Sequence, residues 1–131
     1  MSLEEIIAGE SKTIEFKEEL PADIKKYMKT VVAFSNTAGG KIIIGISDKT
    51  KEIVGVPKEK VFQIMDGIMN AITDMCTPQI IPNITLQSIE DKTLIVIEVY
   101  PGKQRPYYIM SEGKENGTYI RTNGSSRHAD S

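Results

Sequence analysis

Residues 33–48, Ala-Phe-Ser-Asn-Thr-Ala-Gly-Gly-Lys-Ile-Ile-Ile-Gly-Ile-Ser-Asp, oblige the chain to pass from helical periodicity to an extended apolar run through one short polar corner. Upstream, Ile24, Met28, Val31, Val32 and Phe34 recur at helical spacing. Downstream, Lys41 to Ser47 is nearly continuous apolar sequence, as in a central strand buried on both faces. A helix that turns into a strand needs a residue tolerant of positive φ, which glycine supplies. A C-cap and a tight turn account for Gly39 and Gly40 by themselves. With Asn36 beside them the corner has more freedom than a helix stop demands, which makes its backbone amides candidates for a close approach to another group.

The rest of the chain alternates. Leu3, Ile6 and Ile7 predict a short helix over residues 3–8, ended by Gly9, and Thr13 to Lys17 alternates with period two, burying Ile14 and Phe16 and sending Glu15 and Lys17 the other way. Pro21 opens the helix that runs to the corner. After a turn at 48–51, residues 53–56 read as a short strand. A second long helix follows Pro57, with Val61, Met65, Ile68, Ile72 and Met75 in one stripe that Phe62 and Met69 broaden, ending near Thr77-Pro78. Residues 84–89 and 93–99 flank a hairpin-sized connection, and shorter strands are expected at Tyr107 to Met110 and Thr118 to Arg121. The order predicts an α+β domain, a mixed β-sheet packed with two main helices.

With 131 residues, 40% of them hydrophobic, the sequence suits one domain over residues 1–131 with a real core. No apolar run approaches the ~20 residues of a membrane span, and the N-terminus shows no basic-then-apolar leader, so a cytoplasmic protein without membrane attachment is expected. One cysteine and one histidine exclude a disulfide framework and a Cys/His zinc site, and Cys76 reads as a small core hydrophobe. The charge is uneven: residues 1–100 carry eleven lysines against fifteen acids, −4, while residues 101–131 reach +2 and hold all three arginines. Arginine forks onto phosphates and stacks on bases, so the C-terminal quarter is the better place to look for polyanion contact.

Four segments together resemble the Schlafen AlbA-type DNA-binding domain, sometimes called divergent AAA. They are Glu10-Ser11 with Glu15-Phe16-Lys17, the 33–40 corner, the Ile44-Gly45-Ile46-Ser47-Asp48 strand end, and Tyr119-Ile120-Arg121-Thr122-Asn123-Gly124-Ser125-Ser126. The resemblance spans roughly residues 3 to 131. It implies an α+β nucleic-acid-binding module, DNA before RNA, forming the N-terminal part of a transcriptional regulator, with no cofactor.

Candidate contacts lie in the tail. Lys103, Arg105, Arg121, Asn123, Ser125 and Arg127 offer cations, an amide and a hydroxyl in what reads as a flexible, phosphate-holding loop, and Tyr107, Tyr108 and Tyr119 lie among them as stacking platforms or core residues. A second class of function comes from the acids. Glu10, Glu15 and Asp48 sit where two adjacent strands would gather three carboxylates at one end of a sheet, an oxygen-rich site for Mg²⁺ or Mn²⁺. The Schlafen branch associates this Glu, Glu, Asp pattern with metal-dependent cleavage of structured RNA, and Lys17 falls where that branch has a lysine near the scissile phosphate. Against that alternative, the chain offers one lobe and no zinc ligands, and binding without catalysis is the expectation. ATP is not expected, because no GxxxxGK[ST] occurs and Gly39-Gly40-Lys41 leads into a strand, not a helix amino terminus. A homodimer through a strand edge or the methionine-bearing helix fits the pattern.

Overall fold

The computed structural model describes residues 13–19, 24–122 and 125–129; the helix predicted over 3–8 and the helix opening at Pro21 fall outside them. In chain order the elements are β1 (Ile14–Lys17), α1 (Ile24–Ser35), β2 (Gly40–Ile44), α2 (Val61–Met75), β3 (Cys76–Thr77), β4 (Asn83–Ile89), β5 (Lys92–Val99), β6 (Tyr108–Ile109), α3 (Gly113–Gly117), β7 (Tyr119–Thr122) and β8 (Ser125–His128). A four-stranded sheet runs β1-β2-β5-β4, parallel between β1 and β2 and antiparallel elsewhere, while β3-β6 and β7-β8 form separate antiparallel pairs. The fold is α+β with a mixed sheet. No helix among the described residues is long and apolar enough to cross a membrane.

Register decides which side chains meet. Glu15 lies beside Ile42, itself opposite Ile97, and Lys17 lies beside Ile44, opposite Ile95. Ile42, Ile44, Ile95, Ile97 and Val99 therefore share the face that packs against Met28, Val31, Val32 and Phe34 of α1 and Ile68 and Ile72 of α2. The opposite face builds a smaller core of Phe16, Ile43, Ile46, Leu94 and Val96. Both faces of β2 are covered, as its unbroken apolar sequence requires. Burying each of these isoleucines contributes about 1.5–3 kcal/mol before entropy is subtracted.

The corner works as a helix stop. Gly39, at φ 78°, donates its N–H to Phe34 O at 2.9 Å. A Cβ on Gly39 would stand 2.7 Å from Val99 O and 2.8 Å from Pro101 Cδ, and one on Gly40 would stand 2.6 Å from the Phe34 ring and 2.7 Å from Thr13 O. The close approach anticipated from the two glycines is thus made to the protein's own chain.

Several boundaries differ from expectation. The central strand stops at Ile44 because Gly45, at φ 113°, leaves the extended region, and residues 53–56 supply only a bridge from Ile53 to Ile46 before Gly55 N–H bonds to Gly45 O. The segment 107–110 shortens to β6 and pairs with β3. On α2, Val61, Ile68 and Ile72 are buried but Phe62 is 73% exposed and Met69 also faces outward, so these two do not broaden the buried stripe. The 90–91 connection between β4 and β5 has positive φ at both residues, which matches the right-handed twist of a two-residue hairpin.

Candidate nucleic-acid interface

β7 and β8 pair as a hairpin, Tyr119 opposite His128 and Arg121 opposite Ser126. Period-two alternation gives the hairpin an inner face, Tyr119, Arg121, Ser126 and, at its exposed end, His128, and an outer face bearing Ser125 and Arg127. Arg121 points inward, with its side chain 1% exposed. Its Nη1 donates to Glu15 Oε1 at 2.7 Å and to Ser126 Oγ at 3.3 Å. Ser126 Oγ donates to Thr30 Oγ1 at 3.3 Å, and Thr30 Oγ1 donates to Glu15 Oε2 at 3.0 Å. The four side chains close a ring of hydrogen bonds between β1, α1 and the hairpin. Lys17 Nζ adds a second cation 3.6 Å from Glu15 Oε2, and the Arg121 guanidinium lies 5.0 Å from the centre of the Phe34 ring.

This placement corrects the sequence reading of Arg121 as a phosphate contact, because its guanidinium is buried against a carboxylate. It also bears on the metal alternative. Both oxygens of Glu15 face hydrogen-bond donors or cations, a setting that does not fit a carboxylate ligand of Mg²⁺ or Mn²⁺. Asp48 is exposed in the turn after β2, where its backbone carbonyl accepts from Lys51 Nζ, and Glu10 lies outside the described residues. Among the described residues no three acidic, histidine or cysteine side chains gather as a metal site.

Asn36 joins the corner to the same region. Its Nδ2 donates to Tyr107 O at 2.8 Å and Tyr119 O at 2.9 Å, and its Oδ1 accepts from Tyr107 N at 2.7 Å. Arg105 lies at the surface yet turns back on the corner, donating through Nη2 to Thr37 O at 3.2 Å and through Nε to Gly102 O at 3.1 Å. Lys103 is exposed. Tyr107 and Tyr119 are buried, so as base-stacking platforms they are corrected to core residues; the exposed tyrosine is Tyr100.

At the end of the hairpin His128 and Lys29 gather over the buried Tyr119 ring, a group the tail residues alone do not reveal. His128 stacks on the Tyr119 ring at 4.6 Å between centroids, and Lys29 Nζ stands 5.4 Å from the centre of the same ring. Arg127 is exposed on the outer face and its Nε donates to Ser125 Oγ at 3.3 Å, while Ser125 Oγ donates to Thr122 O at 3.1 Å. Asn123 lies outside the described residues. Tyr119 donates its hydroxyl proton to Glu112 Oε1 at 3.0 Å; burial first, then the neighbouring carboxylate, pushes the phenol up to about 12. The cue for the hairpin in the sequence is the dipeptide Asn123-Gly124 between residues 119–122 and 125–128.

A model of the Schlafen AlbA_2 family matches residues 10–130. The chain belongs to that family. Over 73 residues it is 34% identical to an uncharacterized ATP-binding protein of Ureaplasma parvum, a match covering 54% of this chain and 21% of that protein. The matched segment thus spans about a fifth of that relative's length. The N-terminal domain of a Nitrosomonas europaea protein described as related to the ATP-dependent DNA helicase RecG superposes with a TM-score of 0.67 at 24% identity, covering 98% of this chain and 90% of the other. The DIP2311 protein of Corynebacterium diphtheriae gives 0.65 at 21% identity, over 91% of this chain and 22% of its own length. At these identities the two structures establish a shared fold.

Proposed function

We propose that this AlbA_2 domain is a nucleic-acid-binding module, with DNA before RNA as its ligand, acting in the cytoplasm as the N-terminal part of a transcriptional regulator. The observation that carries the proposal is the β7–β8 hairpin, fastened to β1 by the buried Arg121–Glu15 ion pair and to α1 through Thr30, which presents Arg127 on its outer face and, at its end, an exposed His128 stacked on Tyr119 with Lys29 over the same ring. Cations held on a rigid support contact phosphate at a smaller entropic cost than cations on a loop. Lys103 and Arg105 extend the basic surface from the other end of α1, beside Thr37. The RecG-related name of one structural neighbour is consistent with a nucleic-acid ligand.

Neither a cofactor nor ATP has a role in this proposal. Gly39 and Gly40 pack on Val99, Pro101, Phe34 and Thr13, so they are occupied in holding the fold. The test is fluorescence anisotropy with labelled single- and double-stranded DNA and RNA over a salt series. Arg127→Ala is expected to weaken binding about equally across sequences and to reduce the salt slope by about one phosphate contact, ~0.9 for duplex DNA. Addition of Mn²⁺ or a chelator is expected to leave affinity unchanged and transfer RNA uncut. Absence of association with every probe at low salt overturns the proposal.

A further inference from the structure

The sheet ends in two very different edges. β1 is four residues long and carries Glu15 and Lys17, whereas β4 runs for seven residues, Asn-Ile-Thr-Leu-Gln-Ser-Ile, with neither a charge nor a proline. Among the described residues no strand lies beyond β4. Proteins that must keep an edge unpaired place lysine, proline or a bulge on it, because its outward amides and carbonyls are a template for another strand. β4 pairs with β5 residue for residue through all seven positions and shows none of these devices.

Apolar surface accompanies that edge. Leu86 lies opposite Ile95 on the helix-bearing face yet is 43% exposed, and Ile81, just before the strand, is 71% exposed.

We propose that β4 is the seam of a homodimer, two copies pairing their β4 strands antiparallel across a twofold axis at Leu86, so that one sheet continues through both. In this register Leu86 meets its twin, Thr85 faces Gln87 of the partner subunit, Ile84 faces Ser88 of the partner subunit, and Asn83 faces Ile89 of the partner subunit. No like charges oppose one another, which a strand centred on an uncharged residue and flanked by uncharged positions achieves by itself. Covering Ile81 and Leu86 on both copies, together with the two strand edges, makes an interface at or below the ~1,200 Å² lower end of the standard size, which fits a pairing that forms at high concentration and comes apart on dilution. A second copy satisfies backbone and apolar flank at once because the same patch recurs across the axis.

The test is sedimentation equilibrium or light scattering of the 131-residue chain, whose mass is 14.5 kDa. Twice that mass is expected at about 100 µM, falling toward one copy on dilution as expected for an interface of this size. Leu86→Lys places two ammonium groups opposite each other and is expected to give one copy at every concentration, with the far-UV spectrum unchanged. Leu86→Cys gives a second readout. Cys76 is buried with its thiol pushed up to about 12, so oxidised glutathione is expected to cross-link the variant into disulfide-bonded dimers and leave the wild type unlinked. A wild-type chain of single mass at about 100 µM overturns the pairing and leaves the edge to a foreign strand. A Leu86→Lys chain that stays dimeric overturns it too, as does a dimeric Leu86→Cys chain that does not cross-link.

Discussion

The two sides of α1 are held by different physics. Toward the sheet, Met28, Val31, Val32 and Phe34 press on Ile42, Ile44, Ile95 and Ile97, contacts without direction that many apolar sets would satisfy at similar volume. Toward the hairpin, Thr30 joins Glu15, Arg121 and Ser126 in a ring where each donor has a named acceptor. The sheet side supplies most of the burial. The hairpin side decides where β7 and β8 sit, because a buried guanidinium has few places where a carboxylate can neutralise it.

Arg121→Ala breaks that asymmetry most severely. It leaves Glu15 buried without its guanidinium partner, and a loss of about 3–5 kcal/mol is expected in urea unfolding. Replacing both members, Glu15→Met with Arg121→Met, is expected to restore much of that loss, since an apolar pair of similar volume carries no unpaired charge. A double variant as unstable as the single one would show that the pair itself holds the hairpin. Equal, small losses in all variants would remove the distinction between the two sides of α1.

Most of the sheet side is legible in the sequence and little of the hairpin side is. Period-two alternation at 13–17, helical spacing at 24–34 and 61–75, and the apolar runs at 41–47 and 93–99 are local patterns, and each marks an element close to its place. The Glu15–Arg121 pair spans 106 positions and leaves no trace in any window. Arginine in a glycine- and serine-rich tail resembles a phosphate contact just as well, so Arg121 reads as surface until β7 is seen to face α1. Glu15 illustrates the same limit: alternation sends it away from Phe16 correctly, but whether that side is solvent or helix depends on α1. β8 is different, since Asn123-Gly124 signals a hairpin and the cue is obscured only by the functional appeal of a flexible loop.

The corner links the two sides, and its variants are expected to cost less than Arg121→Ala. Gly39→Val combines a backbone at φ 78° with a Cβ 2.7 Å from Val99 O, and a loss of about 2–3 kcal/mol is expected by thermal or urea denaturation. An unchanged melting temperature would mean that the backbone around Val99 and Pro101 gives way easily. Asn36→Ala removes three hydrogen bonds to Tyr107 and Tyr119 and leaves their backbone groups without those partners, for about 2 kcal/mol. Since that substitution releases the hairpin rather than the sheet, hydrogen exchange is expected to rise in β6 and β7 while β2 and β5 stay protected. Uniform loss of protection would show that the two sides unfold as one unit.

Alkaline pH sharpens the comparison with the smallest effect, because the titrating groups divide between the two sides. Cys76, packed 3.8 Å from Met28 Sδ on the sheet side, has its thiol raised from 9.0 to about 12 by desolvation. On the hairpin side, burial and Glu112 raise Tyr119 from 10.0 to about 12. In both cases the folded chain holds a proton that the unfolded chain releases earlier. The sign follows: this stabilisation is complete below the unfolded value and is lost as pH rises toward the folded one. For Cys76 the loss begins near pH 9 and amounts to roughly 1 kcal/mol by pH 10. Tyr119 adds its part only above pH 10. Melting temperatures at pH 8, 9 and 10 are therefore expected to fall in the wild type and to fall less steeply in Cys76→Ala, whose starting value is lower for the lost packing. Parallel curves for the two proteins would place the alkaline sensitivity elsewhere and dissociate the sheet side from any part in it.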